Sequence, residues 1–290
     1  MATTIPTTTA STRPSNPSTG DAYFETDTKK YIIYDGTDWR GWNNDGIAAA
    51  PLTNTYSVDL DGTDDYVMLG DLGTAGRTLG CMSVWIKTDT AIQSGSTGVY
   101  GYIIGWGTGS SYNGLRWGYF TASDRLMAVY QGAFVTTWTA SSASLGTDWL
   151  HMVLNHNGTG YDIYVNGALA SDHISGSTLS VSSRSKISGS NLNGLKIGKA
   201  GGGFPTGGLY DEVGLWDDGL TSTQISEIYN SGVPISLSSY SPDGWWRMGD
   251  GTEGGSGATI HDMSGNSNNG TIVNGTQGNT TATYSNTVPS

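Results

Sequence analysis

The sequence predicts an all-β protein, an antiparallel sandwich, on three observations. Only 13% of its 290 residues are charged while 44 are glycine, a composition that favours turns and short extended segments over long helices. Short runs repeat with a period of two: Tyr56, Val58 and Leu60 against Ser57 and Asp59, then Leu150, Met152 and Leu154, then Tyr161, Ile163 and Val165. Six Asn-Gly pairs, one of them Asn166-Gly167 directly after YDIYV, supply the tight turns that antiparallel hairpins need.

Taken in order, residues 1–20 are Thr, Ser and Pro with almost nothing to bury, and read as an extended arm ordered only against a partner. Residues 21–42 place apolar runs at Tyr23-Phe24 and Tyr31-Ile32-Ile33-Tyr34 around polar turns, which is a small β-hairpin module. It is too small to bury its own rings, so Tyr23, Phe24, Tyr31, Tyr34 and Trp39 are the expected attachment surface. Residues 43–54 read as a linker and 55–235 as the main sandwich. One short helix is expected near 221–230, where Thr221 caps, Gln224 follows three residues later, and Ile225, Ile228 and Tyr229 share a face. Residues 236–290 return to strand-like segments that complete the same sandwich.

Thirteen basic residues against 25 acidic ones give a formal charge of -12, which argues against a nucleic-acid partner. No apolar run suits membrane insertion, and the first residues lack the basic and apolar parts of a secretory signal. Cys81 is the only cysteine, so no internal disulfide is possible and assembly in a reducing cytoplasm is expected.

Candidate chemistry is sparse. Gly249 to Gly254 matches the dinucleotide fingerprint by letter, but Gly255-Ser256-Gly257 follows in place of a helix, so it reads as a loop. The four histidines show no zinc spacing. Asp59, Asp61, Asp64 and Asp65 cluster on a turn, where hard oxygen ligands suit calcium; solvated turn acids are the alternative. Trp106, Tyr112, Trp117 and Tyr119 crowd the middle of the domain, where rings either stack on sugars or fill a core.

Several stretches together resemble the laminin G-like, or concanavalin A-like lectin, jelly-roll family. They are YSVDLDGTDDYVML (56–69), CMSVWIKT (81–88), DWLHMVLNHNGTGYDIYVNGALA (148–170), LKIGKA (195–200) and GGLYDEVGLWDDGLTSTQISEIYNSG (207–232). The resemblance implies a jelly roll with a calcium ion at one rim, held by Asp61, Asp65 and Asp211 at neighbouring strand ends. It also implies that WWRMGD and DMSGN, which precede the Asp-Gly strand in related domains, have moved here to the C-terminal side. Glucanases of the family carry Glu-x-Asp-x-x-Glu on one strand; Glu25-Thr26-Asp27 begins that pattern but Lys30 breaks it, so no enzyme activity is expected.

The flank RPSNPSTGDAYFETDTKKYIIYDGTDW resembles a short module near the start of tailed-phage fibre and appendage proteins. This second resemblance implies a non-enzymatic virion structural protein, a capsid decoration protein, head fibre or tail fibre, made in the host cytoplasm and displayed on the virion surface. Its partners would be other virion proteins held through the N-terminal arm, in a homo-oligomer with a trimer favoured. A carbohydrate-binding adhesin for a host surface glycan is the first alternative, with Trp106, Tyr112, Trp117 and Tyr119 as its rings, and a glycan-degrading enzyme the second.

Overall fold

The computed structural model describes residues 6–9, 12–26, 30–34, 36–37, 39–42, 52–69, 78–88, 100–106, 113–120, 123–130, 133–139, 148–170, 186–188, 194–200, 205–251, 253–273 and 283–290. The chain divides into two units, Met1–Leu52 and Thr53–Ser290.

The first unit is a four-stranded sheet in the order β1 (Thr7–Thr8), β2 (Ala22–Glu25), β3 (Lys30–Tyr34) and β4 (Trp39–Trp42). Strand β1 runs parallel to β2, and the other pairs are antiparallel. The expectation of an arm ordered only by a partner needs correction here. Phe24 N–H donates to the Pro6 carbonyl and Thr26 N–H to that of Thr8, both at 2.9 Å, so β-branched threonines add a strand to an edge that would otherwise be open. Arg13 fastens the same segment through an ion pair of 2.5 Å to Glu25, whose side chain is buried.

The second unit begins with β5 (Ser57–Leu60), β6 (Tyr66–Met68), β7 (Thr78–Leu79), β8 (Cys81–Lys87), β9 (Tyr100–Trp106), β10 (Asn113–Phe120), β11 (Ser123–Tyr130) and β12 (Ala133–Thr139). It continues with β13 (Leu150–His156), β14 (Tyr161–Val165), β15 (Ala168–Leu169), β16 (Ile187–Ser188), β17 (Lys196–Ile197) and β18 (Gly208–Trp216). Helix α1 (Ser222–Tyr229) follows, then β19 (Gly244–Trp246), β20 (Thr259–Ile260), β21 (Gly270–Val273) and β22 (Thr283–Ser285). One sheet has the order β12-β11-β10-β9-β17-β6-β21-β20, and the other β15-β14-β13-β8-β18-β5-β22 with β19 also on β18. Val67, Ile104, Trp106 and Ile197 from the first meet Val58, Met82, Leu154 and Tyr210 from the second in one core, which is the antiparallel sandwich.

Local chemistry explains the turns and the helix. Asn166 and Gly167 both take positive φ, 50° and 75°, so the two-residue link from β14 to β15 has the backbone twist that matches paired strands. At α1, Gln224 N–H donates to Thr221 Oγ1 and Thr221 N–H donates to Gln224 Oε1, a reciprocal cap, and Asn230 ends the helix in the left-handed region. Ile225 and Ile228 are buried, and Tyr229 stacks on Trp85 of β8, so the helix covers the outer face of the second sheet. All nine residues of β18 are therefore buried, one face against the core and the other beneath this second layer, where Trp216 Nε1 donates to the Tyr240 carbonyl.

Described strands of the C-terminal region belong to the sandwich. Strand β19 pairs with β18, β21 with β6, and β22 with β5, so segments from the C-terminal region enter both sheets. Among the described residues no helix is long and apolar enough to cross a membrane.

Candidate functional site

The acidic loop between β5 and β6 is the first place where ligand-type groups converge. Asp61 Oδ1 accepts from Thr63 N–H at 2.7 Å, which folds the loop back on itself, and Gly62 takes φ +72° against the backbone of Gly207. Carboxylate oxygens of Asp61, Asp64 and Asp65 then lie within 4.8 Å of one another, with Asp65 buried and the other two half-exposed. Three hard, anionic oxygens on one short loop fit a calcium ion, which would cancel their mutual repulsion.

Asp211 does not belong to that set, which corrects the ligand trio inferred from resemblance. Gly208, at the start of β18, is the residue that lies beside Leu60; Asp211 sits further along the strand, opposite Trp85. It is fully buried, accepting from Asn54 Nδ2 at 2.9 Å and from Glu212 N–H at 2.8 Å. Burial first, and the neighbouring Glu212 charge second, hold its carboxyl well above the usual carboxylate range.

Around Glu212 the structure builds a buried clamp. The register of β18 on β8 shifts between Asp211 and Gly214, and Glu212 takes φ 42°, which turns its side chain toward β19. Arg247 Nε donates to one carboxylate oxygen at 2.8 Å and Trp245 Nε1 to the other at 2.6 Å. Arg247 Nη2 also donates to the Thr53 carbonyl, and Asp250 accepts from the N–H groups of Thr55 and Tyr56. Burial pushes the Glu212 carboxyl up to about 6, and Arg247 opposes that rise. The clamp ties β18, the entry to β5 and the Trp245-Trp246 strand together; it joins residues 35 apart in sequence, and Asp-Glu inside an apolar run was its one sequence signal.

The expected sugar-stacking rings divide differently. Trp106 is completely buried in the core between the sheets and cannot meet a sugar, because the opposite sheet encloses its side chain. Tyr112 lies outside the described residues. Trp117 and Tyr119 lie on β10, with Trp117 in register with Gly101 and Leu126, and Tyr119 with Asp124. Of the attachment rings, Tyr31 is 45% exposed and packs its ring 4.8 Å from Phe24; Tyr23 and Tyr34 are half-buried, and Trp39 falls on β4.

A recess of about 550 Å³ opens between the β13–β14 turn and the start of α1. Several of its polar groups are already engaged. Asn155 bonds the Leu220 backbone in both directions, Asn157 bonds Thr159 and Asp162, and Lys186 pairs with Asp218. His151 lies fully buried beneath α1, its ring 4.9 Å from Trp85, with no partner among the described residues for either ring nitrogen; burial lowers its pKa to about 3.

Comparison with known proteins agrees with this architecture. The family described as the concanavalin A-like lectin/glucanases superfamily matches residues 61–226, more than half of the chain. The chain therefore belongs to that superfamily. Among solved structures, a Bacteroides ovatus protein provisionally described as carbohydrate binding is 16% identical, with a TM-score of 0.52, covering 94% of this chain and 71% of that one. Domain 4 of an extracellular arabinanase from Geobacillus stearothermophilus, solved with arabinotriose, is 14% identical with a TM-score of 0.43, covering 63% and 81%. A pentraxin from Limulus polyphemus is 15% identical with a TM-score of 0.42, covering 61% and 82%. At 16% identity the likeness to the Bacteroides ovatus structure concerns the fold alone. No curated protein matches.

Proposed function

We propose that the chain is a non-enzymatic display protein of a tailed-phage particle, anchored through Met1–Leu52 and presenting a lectin-like sandwich to a host glycan. The observation that carries this reading is the division of the chain: a jelly roll of a lectin superfamily is attached to a 52-residue sheet that leaves Tyr31 exposed and Tyr23, Phe24 and Tyr34 half-buried. A sheet that small does not bury its own rings, and the virion context comes from the resemblance of the N-terminal flank to phage appendage modules. The description of the Bacteroides ovatus structure favours carbohydrate as the ligand.

Asp61, Asp64 and Asp65 hold one calcium ion in this reading, which fixes the β5–β6 loop. The glucanase-like start at Glu25 is spent on structure, since Glu25 is buried and paired with Arg13. In this reading the chain is a homo-oligomer, with a trimer favoured by the resemblance to phage fibres.

The test is to strip particles of the native copy and add back either the full chain or protein lacking 1–42. Full-length protein rebinds and the truncated protein, folded by circular dichroism, does not. Equal rebinding by both would remove the anchoring role.

A further inference from the structure

Sheet register places Lys196 between Met68 of β6 and Gly105 of β9. The next residue, Ile197, enters the core, so Lys196 occupies the outer face of that sheet, on the same side as Tyr66, two residues from Met68. Lys196 Nζ lies 5.8 Å and Lys199 Nζ 5.0 Å from the centroid of the Tyr66 ring. Gly105 makes this convergence possible. A Cβ there would come 2.5 Å from the Lys199 carbonyl oxygen and would meet Ala200, so the 199–200 backbone lies directly on β9 only because the glycine has no side chain.

Among the described residues the two ammonium groups have no anionic partner. Ion pairs among the described residues are Arg13–Glu25, Lys186–Asp218, Arg247–Glu212 and Arg247–Asp250, and neither lysine enters one. This occurs in a chain with 25 acidic residues for 13 basic ones, where a cation has every chance of a carboxylate neighbour. An aromatic face offers a cation about 0.5–1 kcal/mol at an exposed site, but it carries no net charge to neutralise the two ammonium groups. Lys196 is only 8% exposed; burial, and then the charge on Lys199, draws its pKa below the usual lysine value. A charge withdrawn from water without a counter-ion is costly, and an incoming anion would relieve that cost.

We propose that Tyr66, Lys196 and Lys199 form a binding site for an anionic sugar, a carboxylate or sulfate ester, with the two ammonium groups on the anion and the tyrosine ring against the sugar. The sugar part of this assignment rests on the lectin-like reading above; the anion part rests on the unpaired lysines. Bidentate recognition by two ammonium groups selects acidic over neutral glycans of the same ring shape.

Isothermal titration of the full chain at low salt tests it with four probes: a glucuronate disaccharide, galactose 6-sulfate, and the neutral glucose and galactose counterparts. One or both acidic probes bind at least about tenfold tighter than their neutral counterparts, the equivalent of one charge-assisted hydrogen bond. Lys199→Glu loses that advantage with an unchanged melting curve, and Lys199→Gln loses most of it; Lys199 is half-buried and lies outside the core cluster, so these changes stay readable even where Lys196→Met does not fold. Which acidic probe binds separates carboxylate from sulfate. Equal binding of acidic and neutral sugars overturns the site and leaves the lectin reading standing, as does acidic binding that Lys199→Glu does not change. Failure of all four probes, repeated on a broad glycan array, overturns both.

Discussion

Two groups of carboxylates, each close together in sequence, sit on the loop after β5 and on its partner strand β18, and their surroundings make them opposite in character. Asp61, Asp64 and Asp65 crowd one loop, with two of the three half-exposed. Asp211 and Glu212 are buried in mid-strand, where Asn54, Trp245 and Arg247 occupy their oxygens. The difference teaches that acid count does not locate a ligand site. The clamp is closed chemistry, an internal cation already in place, whereas the loop is open to an external one.

The largest effect that separates the two comes from removing the clamp's cation. Arg247→Ala strands Glu212 in the interior, and its expected cost is about 3–5 kcal/mol, read as a lower midpoint in urea unfolding. A change below about 1 kcal/mol would mean that the clamp does not hold the strands. Next comes calcium: at a hundredfold excess over its dissociation constant it should stabilise the chain by about 2.7 kcal/mol, and Asp64→Asn should abolish most of that gain. An unchanged melting temperature with calcium and with chelator would make the loop a solvated turn.

The clamp also has a pH signature of its own. Glu212 is raised to about 6 in the folded chain, so the folded state holds the proton more tightly than the unfolded one. Its contribution is fully present below its ordinary value near 4.5 and is lost as pH rises through 6, with a limiting slope of about 1.4 kcal/mol per pH unit. His151 has the opposite sign. Lowered to about 3 from 6.5, it contributes stability present above 6.5 and lost as pH falls toward 3. The two oppose each other between pH 4.5 and 6, and His151→Phe should uncover the clamp: stability of that variant rises as pH is lowered through this window. Asp211, raised as well, acts in the same direction, so a flat or falling profile would contradict raised carboxyls at this pair. The smallest effect is Asp64→Asn without calcium, within about 0.5 kcal/mol of the unsubstituted chain, since a half-exposed turn acid carries little of the fold.

What the sequence made legible was whatever rested on local period and turn chemistry. Alternation at Ser57–Leu60 and Leu150–His156, the turn at Asn166-Gly167, and the Thr221-to-Gln224 cap each depend on residues within a few positions of one another. The clamp was not legible because Glu212 and Arg247 meet only after β19 pairs with β18. Trp106 shows a related limit: an aromatic in a strand signals burial or recognition equally well until the opposite sheet is in place, and here that sheet covers it. Asp211 was misplaced because a strand buried on both faces loses the alternation from which a rim position could be judged. The pairing of Thr7–Thr8 with β2 likewise left no apolar signal, since it depends on backbone hydrogen bonds.

The measurement that tests the central claim most directly is binding of the full chain to an array of acidic and neutral glycans, with the bound glycans recovered and weighed by mass spectrometry. The expected result is selective retention on acidic glycans, released by salt, with every recovered glycan intact. Shortened glycans would show that the sandwich cleaves its ligand, and an array with no glycan retained above the signal of heat-unfolded protein would contradict a lectin-like role altogether.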